Sequence, residues 1–153
     1  MAHHATYDDA NLLLRLYELR RDPELRKARD WFGGNFNATN AEEMMKLCPP
    51  GSDNNRYVRM VLSYWEMCCA FITSGVLDQN LFFETAGEML LVWEKARHIV
   101  PTWREFTKNP HSWKNLETVG NAFIEHYKSH GPDAYSGFQS LVKMMTAGMS
   151  ARA

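Results

Sequence analysis

Apolar residues recur along this chain at steps of three and four, and no segment shows a convincing alternation with a period of two. Steps of three and four place side chains on one face of an α-helix. The pattern therefore predicts an all-α fold, a single-domain helical bundle of five to seven helices. The predicted helices span about residues 7–21, 23–32, 41–47, 55–74, 79–100, 112–130 and 132–146.

The segment from residue 55 to residue 100 is predicted to form the centre of the bundle, as an antiparallel hairpin of two long helices. Residues 56–74 are apolar except for one narrow polar stripe. A helix with so wide an apolar surface must be covered by several neighbours. The connection between the two helices spans only residues 75–78, and so short a connection favours an antiparallel pair.

The ends of the predicted helices carry recognisable signals. Gly75 suits the left-handed position that follows many helices, and Pro101 is expected to end or kink the second long helix. Gly87 is unfavourable inside a helix by roughly 1 kcal/mol relative to Ala, so we expect it to allow another backbone to approach closely. N-caps, which accept hydrogen bonds from the first turn of a helix, are predicted at Thr6, Asp22, Asn40, Asp78 and Ser112.

The composition of the chain argues against several classes of protein. With 153 residues, of which 45% are apolar and 23% charged, the chain is predicted to form one globular domain. Its net charge of −1 argues against a nucleic-acid partner, which normally requires a basic excess. The longest apolar runs have about six residues, whereas a membrane-spanning helix needs roughly 20. Acidic residues 8 and 9 also interrupt any signal-peptide pattern, so we expect a soluble, cytoplasmic protein.

The three cysteines, Cys48, Cys68 and Cys69, are predicted to be reduced structural thiols. Neighbouring residues of a helix point about 100° apart, so a disulfide between Cys68 and Cys69 is disfavoured. Reduced thiols are consistent with the cytoplasm. The three residues lack the paired spacing and the nearby histidine of a zinc site, so we assign them no metal-binding or nucleophilic role.

A polar cluster inside the central hairpin is the first candidate site. In an antiparallel pair, Arg59 lies level with Glu94, and Glu66 lies level with Glu88. If the two polar stripes face each other, they form an ion pair and a carboxylate group of Glu66, Glu84 and Glu88. Such carboxylates bind metals or serve acid–base chemistry in helical bundles. In the alternative, both stripes face solvent or are neutralised by basic residues, and we therefore assign no catalytic residue, metal ligand or cofactor.

A second candidate is the pair His126 and His130, whose spacing places two imidazoles on one face of a helix, as in many zinc sites. The glutamate that metalloproteases carry between such histidines is missing, because Glu125 precedes the pair. Two basic residues near the end of a helix also interact favourably with the helix dipole without any metal. The pair therefore does not predict a metal site.

The hairpin carries a run of short motifs: Tyr64-Trp65-Glu66, Gly75-Val76-Leu77-Asp78, Phe83-Glu84, Gly87 and Val92-Trp93-Glu94-Lys95. This run resembles a family of uncharacterised bacterial all-α domains, a domain of unknown function. The resemblance is limited to residues 57–100 and consists largely of packing and turn residues. It implies a helical architecture and supplies no catalytic residue.

Our leading hypothesis for the function is a non-enzymatic interaction or scaffold module of a bacterial cytoplasmic protein, whose partner is a protein and plausibly a second copy of the chain. It rests on an apolar, aromatic-rich composition without a recognisable site. The alternative is a helical protein that binds a small ligand or a metal through the polar stripe of the hairpin. An enzyme whose residues come from distant helices stays open.

Overall fold

The computed structural model describes residues 4–150, and the side chains of residues 4–147. This part of the chain contains nine α-helices, one 3₁₀ helix and no β-strand. The all-α prediction is confirmed, and the predicted number of five to seven helices is too small. The α-helices are α1 Tyr7–Leu19, α2 Pro23–Asn35, α3 Ala41–Leu47, α4 Asp53–Thr73, α5 Gln79–Thr85, α6 Gly87–Ala96, α7 Val100–Thr107, α8 Lys114–Lys128 and α9 Ala134–Ser150. The 3₁₀ helix spans Arg97–Ile99.

Most of the predicted helix starts are confirmed. Thr6, Asp22, Asn40 and Asp78 each accept a hydrogen bond from the first turn of the helix that follows, and such bonds satisfy N–H groups that have no partner within the helix. Gly75 ends α4 with a φ of 80°. That conformation is open to glycine at little cost, as the sequence predicted.

The predicted single helix over residues 79–100 is wrong, because the chain breaks at Ala86. There φ and ψ are −121° and 45°, and α6 begins without a side-chain cap. The next residue, Gly87, has a weak helix preference, which lowers the cost of a break at this point. Pro101 lies in the first turn of α7, where its missing N–H is tolerated.

The break lets α5 and α6 bury their apolar residues against different neighbours. The Phe82 ring of α5 contacts Trp65 of α4, at a centroid distance of 6.4 Å. The α6 helix packs instead against α8, α2 and α9. Gly87 has no neighbouring atom within 4 Å of a built Cβ, so its predicted role in close packing is wrong. The close approach occurs at Gly120 of α8, where a Cβ would lie 2.4 Å from Cγ of Trp93 in α6.

Helix α4 is central, as predicted, but its main partners are α2 and α8. These two helices cover much of its apolar surface, in agreement with the prediction that several neighbours surround it. The predicted face-to-face pairing of residues 55–74 with residues 79–100 is therefore wrong over most of its length. Buried apolar residues from Leu16 to Ile124 form one contiguous core around α4. None of the helices within residues 4–150 combines the length and the apolar character needed to cross a membrane.

Candidate functional site

The structure does not bring the five residues of the predicted polar cluster together. Arg59 and Glu84 are exposed, and across residues 4–147 their side chains form no ion pair or hydrogen bond. The expected ion pair between Arg59 and Glu94 is not formed, because α4 and α6 do not face each other. Glu66, Glu88 and Glu94 do form hydrogen bonds. Each of these three carboxylates binds a different part of the fold.

Glu66 of α4 caps the N-terminus of α8, although the two are far apart in the sequence. Its Oε1 accepts hydrogen bonds from the backbone N–H and the Nδ2 of Asn115, at 3.3 and 2.8 Å, and its Oε2 accepts one from the N–H of Leu116, at 2.7 Å. Trp113 occupies the N-cap position with a φ of 56° and makes no capping bond. The predicted cap at Ser112 is therefore wrong, and a carboxylate of α4 satisfies the first N–H groups of α8.

Glu88 connects α6 to the two N-terminal helices. Arg29 of α2 binds it with two nitrogen atoms, at 2.7 and 2.9 Å, and Arg20, which follows α1, binds it at 3.2 Å. The hydrogen bond to Glu88 raises the pKa of Arg29 above its ordinary value. Because the carboxylate lies in the first turn of α6, the helix dipole also favours its negative charge.

Glu94 connects the other end of α6 to α9. It accepts hydrogen bonds from the hydroxyl of Tyr135, from Gln139 at 3.0 Å and from Arg97 at 3.4 Å. Burial, together with the bond to Glu94, raises the pKa of Tyr135 to about 12. Over residues 4–147, the structure contains no group of three or more His, Cys, Asp or Glu side chains that could hold a metal ion.

The histidine pair and the cysteines take part in packing. The rings of His126 and His130 lie 4.8 Å apart, and His126 also contacts Phe83. The three cysteines are free and buried, as predicted. Burial raises the pKa of Cys68 to about 11, so this residue stays a protonated thiol, which is a poor nucleophile.

The structure also contains a groove that the sequence did not indicate, between α1, α4 and α5. Its volume of about 550 Å³ falls within the range typical of pockets for small molecules. We call it the α1 groove. It is lined mainly by Leu13, Leu14, Tyr17 and Arg20 from the α1 segment, by Tyr64, Trp65 and Cys68 of α4, and by Leu81, Phe82 and Thr85 of α5.

Polar contacts hold α1 in place over this groove. Asp9 accepts a hydrogen bond from the backbone N–H of Asp78, at 2.8 Å, and Tyr64 donates its hydroxyl to the carbonyl of Leu16, at 2.6 Å. Burial raises the pKa of Tyr64, which keeps the donating proton in place. The backbone of α1 lies close to that of other described helices at few positions, although Leu16 is part of the core. The groove is the space left between α1 and the core.

Two residues that line the α1 groove each have a buried N–H donor without an acceptor. These are Nε1 of Trp65 and Nε of Arg20, and neither has a hydrogen-bond partner within residues 4–147. The two side chains are neighbours, with the Arg20 guanidinium 5.3 Å from the centroid of the Trp65 ring. A buried donor without a partner costs about 1–3 kcal/mol. The groove therefore combines apolar walls with two lining residues, Trp65 and Arg20, that lack an acceptor.

The signal that could have revealed the groove lies in residues 12–19. This stretch is apolar over more of its circumference than one core-facing stripe requires. In the structure Leu16 is buried, whereas Leu14 is 62% exposed and Tyr17 is also exposed at the rim of the groove. The periodicity of this stretch predicts a helix, but it does not show what lies beneath that helix.

Comparison with known proteins adds a family to these observations. No curated protein and no solved structure matches the chain. The family model described as "Domain of unknown function (DUF4760)" matches residues 5–123. The match extends well beyond the resemblance over residues 57–100, contains the whole α1 groove and ends within α8, before α9. The chain therefore belongs to the DUF4760 family, a domain whose function is unknown.

Proposed function

We propose that the chain binds a small molecule with an apolar body and an acidic head in the α1 groove. The observation that carries the proposal is that two residues lining this largely apolar cavity, Trp65 and Arg20, each have a buried donor without a partner. An acceptor group of a ligand gives these donors the partners that they lack, and apolar walls favour burial of the rest of the molecule.

The charges around Arg20 favour a ligand with an acidic head over one with an amine. Arg20 and Arg29 share one carboxylate, Glu88, which leaves one positive charge without a matching negative charge among these three residues. An anionic head near Arg20 gains attraction and a charge-assisted hydrogen bond. An ammonium head meets repulsion at the same place.

The lining supports binding of a ligand rather than its chemical conversion. Burial keeps the pKa of Cys68 and of Tyr64 well above neutral, so neither group provides a nucleophile or a base at neutral pH. Thr85 donates its hydroxyl to the carbonyls of Leu81 and Phe82. We therefore expect the protein to release the bound molecule without converting it chemically.

Isothermal titration with decanoate and with decylammonium tests this proposal. The expected result is saturable binding of one decanoate per chain and much weaker binding of decylammonium. The variant Arg20→Gln should bind decanoate at least tenfold more weakly, because it loses a charge-assisted hydrogen bond. The control is Arg21→Gln, since Arg21 is the exposed neighbour outside the groove. Equal binding of both amphiphiles, or equal binding by both variants, would refute the proposal.

A second candidate function, association with a protein and in particular with a second copy of the chain, is supported by the outer surface of α9. Leu141, Met144 and Met145 are exposed there, and Met144 is 69% exposed. Contiguous exposed apolar residues favour a protein interface. Size-exclusion chromatography with light scattering at micromolar concentration tests this candidate. A dimer that Met144→Lys converts to monomer supports it, and a monomeric wild type argues against it.

We further propose that the chain is a single domain of a bacterial cytoplasmic protein. The contiguous buried core supports a single domain. Three free cysteines support a reducing compartment such as the cytoplasm. The resemblance of residues 57–100 to bacterial domains supports a bacterial source.

A further inference from the structure

A second cavity, of about 390 Å³, lies between α9, α6 and the segment that joins α2 to α3. We call it the α9 cleft. Its walls include Phe36 and Val142. Three of its lining residues are basic, Lys95, His98 and Lys143, and one, Glu94, is acidic. His98 and Lys143 are exposed at its edge, whereas Lys95 is only 9% exposed.

The ammonium group of Lys95 is buried without a carboxylate partner. It donates hydrogen bonds to the carbonyl of Gly33, at 2.7 Å, and to the hydroxyl of Thr146, at 2.9 Å. No carboxylate within residues 4–147 forms an ion pair with it. Because an ammonium carries three donors, one N–H is left without an oxygen acceptor, and the nitrogen lies 5.9 Å from the centroid of the Phe32 ring. Burial lowers the pKa of Lys95 to about 8, which reflects the cost of this uncompensated charge.

Neighbouring groups do not neutralise this charge. Glu94 is adjacent in sequence, but its carboxylate is bound by Tyr135, Gln139 and Arg97. The carbonyl of Gly33 lies in the last turn of α2, where the helix dipole supplies a partial negative charge. A partial charge on a neutral group does not offset a full positive charge in a buried position.

We propose that the α9 cleft binds a small oxyanion, a phosphate or a carboxylate, at the ammonium group of Lys95. An oxygen of the anion accepts the remaining N–H and supplies the missing negative charge. Lys143 at the edge adds positive charge that draws an anion towards the cleft. The site is separate from the α1 groove, because the two cavities share no lining residue.

The test is a titration of the wild-type protein with sodium phosphate, sodium acetate and sodium chloride at constant ionic strength, near pH 6.5. The side-chain ¹³Cε resonance of Lys95 is followed by NMR. We expect a saturable shift with phosphate or with acetate and none with chloride, and the more effective oxyanion identifies the class of ligand. A shift that is the same with all three salts would overturn the proposal and leave Lys95 as a tie between α2, α6 and α9.

Two variants test whether Lys95 is the residue that binds the oxyanion. Lys95→Gln keeps a hydrogen-bond donor but loses the charge, so the oxyanion should raise its unfolding temperature much less and should bind at least tenfold more weakly. Lys114→Gln is the control, because Lys114 is exposed and lies outside the cleft. Equal binding by the two variants contradicts the assignment. If Lys95→Gln does not fold, the wild-type titration decides alone.

Discussion

The α1 groove and the α9 cleft lie under opposite ends of the described chain, and both depend on α6. Glu88 in the first turn of α6 binds Arg20 at the end of α1, and Glu94 binds Tyr135 and Gln139 of α9. The two regions differ in charge: the groove has arginines that share a carboxylate, whereas the cleft has an ammonium without one. They also differ in position, since the matched residues 5–123 contain the whole groove but not α9. We therefore expect relatives to keep the groove, and the cleft to depend on a C-terminal helix.

The largest effect is expected for Gly120→Ala, which changes the contact between α6 and α8. A Cβ there would lie 2.4 Å from the buried ring of Trp93, and such overpacking lowers the free energy of unfolding by about 1–3 kcal/mol. The control is Gly137→Ala in α9, where no atom lies within 4 Å. There the change should raise the free energy by about 0.5–1 kcal/mol. Urea denaturation measures both, and equal values would show that the contact is not tight.

A smaller effect is expected from variants that remove the contact of α6 with either α1 or α9. Glu88→Ala should loosen α1 and Glu94→Ala should loosen α9, each lowering the free energy of unfolding by about 1–2 kcal/mol because charged hydrogen bonds are lost. Hydrogen exchange followed by mass spectrometry should show faster exchange in the first variant near residues 7–19, and in the second near residues 134–147. The exposed Glu84→Ala is the control and should change stability by less than about 0.5 kcal/mol. Faster exchange at both ends in both variants would contradict this separation.

The smallest effect is the dependence of stability on pH that Lys95 contributes in the α9 cleft. The pKa of Lys95 is lowered to about 8 in the folded protein, from an ordinary 10.5. Between these values the unfolded chain binds more protons, so Lys95 makes stability rise with pH, on the order of 1 kcal/mol. The buried thiols act in the opposite direction, because their pKa values are raised.

The contribution of Lys95 is therefore read as a difference between two proteins. Between pH 8 and 9.5, the free energy of unfolding of the wild type should rise relative to that of Lys95→Met. Lys143→Met, at the edge of the same cleft, should follow the wild type. Parallel curves for wild type and Lys95→Met would show that the ammonium is not buried as described.

The sequence predicted those features that depend on neighbouring residues. The caps at Thr6, Asp22, Asn40 and Asp78 and the turn at Gly75 are local, because each side chain or φ angle acts within a few residues. The break at Ala86 follows from the different neighbours of α5 and α6, which no local pattern contains. The role of Glu66 also depends on residues that are distant in sequence, since it caps a helix that begins nearly fifty positions later.

The candidate sites show the same limit. The polar cluster required α4 to face α6, and once that pairing is replaced, the carboxylates of Glu66, Glu88 and Glu94 each bind a different helix. The groove required knowledge that a space lies between α1, α4 and α5, and the cleft required knowledge that α9 covers Lys95. Periodicity reports which face of a helix is apolar. Periodicity does not report how far that face lies from the neighbouring helix.

The most direct test of the account is the indole N–H resonance of Trp65 in a ¹H–¹⁵N spectrum during titration with decanoate. The account predicts a saturable shift to lower field and slower exchange with solvent, because Nε1 gains an acceptor. Trp93 is an internal control, since its Nε1 already donates to Asn121 at 3.2 Å. An unchanged Trp65 resonance at saturating decanoate, or the same shift with decylammonium, would contradict the assignment of the α1 groove as an acid-binding site.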